Sequence, residues 1–219
     1  MNIYPWQLST WNEIFLNKIK MPHAQIFYGY KTEEINKFVN ELSKSLLCSN
    51  PDDQNFPCGT CQNCLWAKTN HPDLKIVDTD LENDNNSNLI NVSSVRDAKK
   101  FLELTSHQKN GKKIIVIFNA ERLTVGASNA LLKTIEEPPD NCLIFLTVKD
   151  IADLLPTITS RCRLISLCKP SIDEAKKFLL KTDNNDLIDY LELFNSSPIE
   201  LINEKESISQ INTVLDELK

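Results

Sequence analysis

No stretch of the 219-residue chain approaches the roughly 20 consecutive apolar residues needed to cross a bilayer. The opening MNIYPWQLSTWNEIF also lacks the basic n-region and apolar h-region of a secretory signal. Both absences point to a cytoplasmic protein with no membrane contact. Positive charge is short as well: 24 Lys and Arg against 30 Asp and Glu leave a formal charge of -6. A protein that coats nucleic acid by itself needs clustered cations, so that class is disfavoured. The local basic stretch KNGKK (109–113) reads as a polar turn between a helix and a strand before it reads as a DNA contact.

What is present is an ordinary globular composition, 41% hydrophobic and 25% charged, in a chain long enough for one large domain plus a small satellite. Five short apolar runs stand out: AQIFYG (24–29), LKIVD (74–78), KIIVIFN (113–119), CLIFLTV (142–148) and CRLISL (162–167). Continuous β-branched runs of this length read as buried parallel strands. Helical patterns lie between them at 33–47, 93–105 and 126–137, the last stopped by Pro138-Pro139. Strand alternating with helix implies a parallel α/β sheet covered on both faces.

After Pro170 the strands stop. SIDEAKKFLLKT places Ser171 and Glu174 at capping-box spacing, and NDLIDYLELFN and KESISQINTVLDELK follow with helix-period Leu and Ile. The expected division is an α/β domain over 1–168 and a small all-helical domain over 169–219. The stretch DTDLENDNNSN (78–88) has little to bury and reads as a mobile surface loop.

Four of the seven cysteines, Cys48, Cys58, Cys61 and Cys64, fall in the spacing C-x9-C-x2-C-x2-C. Thiolates three residues apart in a tight knuckle can face one ion, and four complete a tetrahedral zinc shell with no open position. Such a site is structural. Disulfides suit an exported chain instead, an iron–sulfur cluster would use similar ligands, and His71 stands ready to replace Cys48 as fourth ligand. Cys142, Cys162 and Cys168 sit at or beside apolar runs and read as small core residues.

A zinc module inserted over 48–66, then NHPDL (70–74), INVSSVRD (90–97), NALLKTIEEPP (129–139) and TSRC (159–162), resembles the clamp-loader subunits of bacterial DNA polymerase III, in the same order along the chain. The resemblance implies an AAA+ type five-stranded sheet, with the helical segment as a lid. Members usually carry a further helical collar domain, and none is expected within these 219 residues.

That family contains ATP-hydrolysing gamma/tau and non-hydrolysing delta-prime branches. A phosphate loop needs G-x-x-x-x-G-K-[ST], because glycines let backbone N–H groups wrap the phosphates and Lys neutralises them. Here GYKTEEIN (29–36) keeps Gly29 but has Glu34, Ile35 and Asn36 where Gly, Lys and Ser/Thr belong, and Lys31-Thr32 is out of register. After the third strand, FNAER offers Asn119 and Ala120 in place of an acidic pair, while Glu121 reads as a surface or salt-bridge residue. Thr147 holds the sensor position and is expected to be structural. No ATP binding is expected.

The resemblance to the delta-prime branch implies a non-catalytic subunit that works with gamma/tau and delta partners to place the sliding clamp on primed DNA. It also implies that Arg161 of TSRC reaches in trans toward the γ-phosphate of ATP in a neighbouring subunit; the plainer reading of Arg161 is an intramolecular ion pair. On the helix 126–137, Ala130, Leu131 and Ile135 read as core, and Lys133 and Glu136 as solvated. Two other readings remain: an active gamma/tau-like ATPase with an eccentric loop, and a free-standing zinc protein that binds nucleic acid.

Overall fold

A computed structural model describes residues 3–79, 88–107, 111–194 and 197–205. The described chain separates into two compact units, one made of Ile3 and Gln7–Leu167, the other of Tyr4–Trp6 and the residues from Cys168 onward.

The first unit runs α1 (Leu8–Leu16), β1 (Ala24–Gly29), α2 (Thr32–Leu47), α3 (Gln62–Trp66), β2 (Leu74–Val77), α4 (Val92–Glu103), β3 (Lys113–Ile117), α5 (Val125–Glu136), β4 (Cys142–Val148), α6 (Pro156–Thr159) and β5 (Arg163–Leu167). All five strands are parallel and lie in the order β2-β3-β4-β1-β5, an AAA+ type sheet. The apolar runs are continuous because alternate residues feed two cores. Ile115, Ile117, Ile144 and Leu146 pack beneath α4 and α5 with Val95, Leu102, Leu131 and Ile135. Ile114, Val116, Leu143 and Phe145 face the other way, toward Trp11 of α1 and Ile35, Phe38 and Leu42 of α2. A strand between two apolar layers has no polar face to show.

Cys142 is buried and Cys162 packs against the first core, but Cys168 is exposed, contrary to its reading as a core residue. It follows the last residue of β5, an edge strand, and has left the sheet before a second layer can cover it.

In the second unit, α7 (Ile172–Lys181) opens with the expected capping box: Ser171 Oγ accepts from the Glu174 N–H, and Glu174 Oε2 accepts from the Ser171 N–H at 2.9 Å. Ala175 and Leu179 pack with Leu187, Leu191 and Leu201, the last from α8 (Pro198–Asn203). The segment expected to continue as an α-helix forms a 3-10 turn over Asn185–Tyr190. Asp183 just before it sits at φ 54°, a left-handed residue that ends α7 and leaves too short a run for an α-helix to renucleate. Tyr4 and Trp6 join this unit, stacked on one another at 4.9 Å and both edge-on to Phe178. Most of DTDLENDNNSN, Lys109 and Asn110 of KNGKK, and KESISQINTVLDELK beyond its first residue fall outside the described residues, while Lys113 of KNGKK opens β3.

Candidate metal centre and the strand-end site

Cys48 caps the C-terminus of α2, and Cys61 caps the N-terminus of α3 with its own sulfur, which accepts from the Cys64 N–H. Between them Gly59 takes φ 73°, a left-handed turn that any side chain would strain. A tetrahedral shell with metal–sulfur bonds of about 2.3 Å has sulfur–sulfur edges of about 3.8 Å. Cys48 Sγ lies 3.6 Å from Cys58 Sγ and 3.8 Å from Cys61 Sγ, and Cys58 Sγ lies 3.9 Å from Cys64 Sγ. All four sulfurs fall within 4.8 Å of one another, so the group can hold a metal ion.

Backbone amides aim at these sulfurs: Cys58 N–H on Cys48, Cys61 N–H on Cys58, and Cys64 N–H on Cys61, at 3.3–3.5 Å. The amides of Thr60 and Cys61 pull the Cys58 thiol down to about 6. Burial acts to raise Cys61, but the amides of Cys64 and Ser49 outweigh it and the thiol falls below its ordinary value. Burial pushes Cys64 and Cys48 up. Four adjacent thiolates repel, so full ionisation here needs a cation among them.

His71 is not a ligand of this group. Its Nδ1 accepts from the Asp73 N–H at 2.9 Å, which leaves the proton on Nε2, 3.3 Å from Asn63 Oδ1. Asn63, next to Cys64, donates in turn to Ser49 Oγ at 2.8 Å. The knuckle is tied down elsewhere too. The Asp52 carboxylate accepts from the amides of Gln54 and Phe56, Trp11 Nε1 donates to Gln54 O at 2.9 Å, and Phe56 stacks on Trp11.

Asp73, two residues after His71, is fully buried. It lies 3.3 Å from Lys113 Nζ and accepts from Ser106 Oγ and the His107 N–H. Burial opposes its ionisation, yet these donors and Lys113 hold its carboxyl below the usual range. Lys113 also donates to Pro72 O and sits 4.1 Å over the Phe101 ring. The HPDL run therefore fastens the knuckle to the starts of β2 and β3, a role its spacing did not reveal.

The C-terminal ends of β1, β3 and β4 meet at a second place, where parallel α/β sheets bind ligands. Only Tyr30 and Lys31 separate β1 from α2, so Glu34, Ile35 and Asn36 lie within the helix, and Ile35 is 1% exposed in the core. Gly29 passes so close to β5 that a Cβ there would sit 2.2 Å from Leu167 O. Thr147 Oγ1 donates to Asn36 Oδ1 at 2.6 Å and accepts from the Asn119 N–H at 3.1 Å. Asn119, left-handed at φ 54°, extends its side-chain amide to Asp78 at 3.3 Å. Thr147 is thus structural, as expected. Glu121 departs from its reading: it forms no salt bridge, and its Oε2 is buried with no hydrogen-bond partner among the described residues.

Arg161 follows α6. Its Nε lies 2.7 Å from Glu136 Oε1, and Nη1 donates to Thr157 O and Ser160 Oγ. The ion pair of the plainer reading is present, with both side chains more than 40% exposed. Pairs this exposed contribute about 0–1 kcal/mol. Glu136, read as solvated, is exposed but paired; nothing in a helical period marks a partner 25 residues away.

Residues 7–171 match the family described as DNA polymerase III, delta subunit. DNA polymerase III subunit delta' of Pseudomonas aeruginosa is 35% identical over 74% of this chain and 47% of its own length. The Haemophilus influenzae subunit delta' is 32% identical over 81% and 53%, and that of Buchnera aphidicola subsp. Schizaphis graminum 34% over 94% and 63%. The chain therefore spans about half to two thirds of the length of these relatives. Among solved structures, a DNA polymerase III gamma subunit-related protein of Thermotoga maritima superposes with a TM-score of 0.51 at 20% identity, over 92% of this chain and 62% of that one. None of the described helices is long and apolar enough to cross a membrane. With a family match across most of its length and subunits delta' among its relatives, the chain belongs to the delta-prime family of DNA polymerase III subunits.

Proposed function

We propose that this chain is a non-catalytic clamp-loader subunit that works with gamma/tau and delta partners to place the sliding clamp on primed DNA, and that Arg161 completes the ATP site of an adjoining gamma/tau subunit. The observation that carries the reading is a contrast within one unit. Its own strand-end site is filled by Ile35 and by the Thr147–Asn36 hydrogen bond, while Arg161 stands at the surface in the turn after the short helix α6. A site with no lysine in the phosphate-loop register and no acidic pair after the third strand is poorly suited to ATP; an exposed, permanently charged fork is well suited to another subunit's phosphate.

Cys48, Cys58, Cys61 and Cys64 would hold a structural Zn2+, their four thiolates leaving no open position for chemistry. Bound there, the metal would supply cohesion to the knuckle, its shell closed by sulfur on all four sides.

The test is turnover by the mixed assembly. Arg161→Ala should leave this subunit folded and bound to its partners while ATP hydrolysis at the adjoining site falls on the order of a thousandfold. Bulk turnover falls less when several sites contribute. Arg161→Lys should rescue poorly, because a point charge cannot reproduce the fork. Normal turnover with Arg161→Ala, together with a lowered melting temperature, would leave Arg161 with only its ion pair.

A further inference from the structure

We propose that Glu136 is the positioning residue of Arg161, holding the guanidinium so that one face of the fork is turned outward toward a phosphate on a neighbouring subunit. This rests on the role in trans given to Arg161 above. Nothing in the family match assigns a function to Glu136.

The donors of Arg161 divide cleanly. Nε is taken by Glu136 Oε1, and Nη1 by Thr157 O and Ser160 Oγ. Ser160 Oγ is itself oriented, since it donates to Thr157 O at 3.2 Å. Nη2, with two N–H groups, has no protein partner among the described residues. The side chain is therefore fixed at three of its five donors, with the remaining two free. A phosphate binds best to donors whose direction is already set, because less rotamer entropy is lost on contact.

The position of Glu136 argues against a role in helix stability. It is the last residue of α5, followed at once by Glu137 and Pro138-Pro139. Carboxylates at the C-terminal end of a helix face the negative pole of its dipole and are locally unfavourable. The proline pair also pins the end of the helix, so the Glu136 backbone has little freedom to swing away. A carboxylate placed where its own helix disfavours it, and within 2.7 Å of Arg161, fits a residue kept for the arginine.

The experiment is a double-mutant cycle on ATP hydrolysis by the full assembly, with Glu136→Ala, Glu136→Gln, Arg161→Ala and the Arg161→Ala/Glu136→Ala pair. Groups that orient metal ligands from behind change function about 10–100-fold, and the same range is expected for a carboxylate that orients an arginine. Glu136→Ala should lower kcat at the adjoining site within that range while KM for ATP stays unchanged, since the nucleotide is held by the other subunit. Glu136→Gln, which can still accept from Nε, should restore part of the loss. In the Arg161→Ala background Glu136→Ala should cost nothing further. Melting curves of each variant separate misfolding from misplacement.

Wild-type turnover with Glu136→Ala beside a defective Arg161→Ala overturns the proposal and leaves the role of Arg161 standing. Faster turnover would mean that Glu136 restrains the arginine instead of aiming it, and also overturns the proposal. So would an equal loss in both backgrounds, which would place Glu136 on a separate path. If Arg161→Ala itself has no effect, the reading beneath the proposal fails and the proposal with it.

Discussion

Asp73 and Lys113 form a buried pair, and what matters on mutation is the charge left behind. Asp73→Ala would strand the Lys113 ammonium and also orphan Ser106 Oγ and the His107 amide. Breaking such a pair costs about 3–5 kcal/mol, which a shift in the urea midpoint at unchanged slope would register. His71 adds a pH dependence of definite sign. Burial lowers its pKa below the ordinary 6.5, so the unfolded chain binds a proton that the folded chain resists. Its contribution is complete above that value and is lost as pH falls below it, since protonating Nδ1 also breaks the bond from the Asp73 amide. Stability measured between about pH 7 and 5 should decline, and His71→Asn should flatten that slope; a slope unchanged by the substitution would clear His71. None of this could be read from NHPDL in the sequence. That the four cysteines would come together was legible from their spacing alone, whereas the partners of the Asp73 carboxylate lie more than 30 residues away and meet it only once β2 and β3 pair.

At the scale of the elements, the 48–66 insertion divides at Phe56. Up to that residue it is held by the Asp52 turn and by Trp11, whose ring is fully buried in the second core. Beyond it, hydrogen bonds to sulfur and the Asn63 bridge are the main ties. Metal removal should therefore expose the amides of 58–66 to hydrogen exchange while those of 48–56 and the sheet keep their protection. Exchange rising across the whole sheet would show that the metal supports the fold at large. The strands were legible because two apolar layers impose unbroken apolar runs, and α2, α4 and α5 because their buried residues recur at helical spacing. The helix α1 escaped notice: its buried residues are only Trp11 and Ile14, one helical turn apart and too few to set a period. The Asn185–Tyr190 segment misled in the opposite direction, its leucine spacing suiting a helix that the left-handed Asp183 cut short.

For the molecule as a whole, the strand-end site bears on how stability responds to nucleotide. A ligand that binds the folded state at 100 times its Kd adds about 2.7 kcal/mol, enough to move a melting temperature visibly. Millimolar ATP with magnesium should leave the melting temperature of this chain unchanged, and an upward shift would reopen the reading of an active ATPase. Placing Lys at Ile35 should not create binding, because the new ammonium would enter the core occupied by Phe38 and Leu42 while Asn119 and Ala120 still offered magnesium no carboxylate.

Thr147 gives its hydroxyl hydrogen to Asn36 and takes the Asn119 amide hydrogen on its oxygen. A sensing residue needs one of those valences idle, so that arrival of a phosphate alters what it touches. Here both are satisfied by neighbours that fold with it, and the ends of β3 and β4 are joined to α2 through a single oxygen. A displacement of any one of the three elements therefore shifts the other two, with no slack in the hydrogen bonds between them.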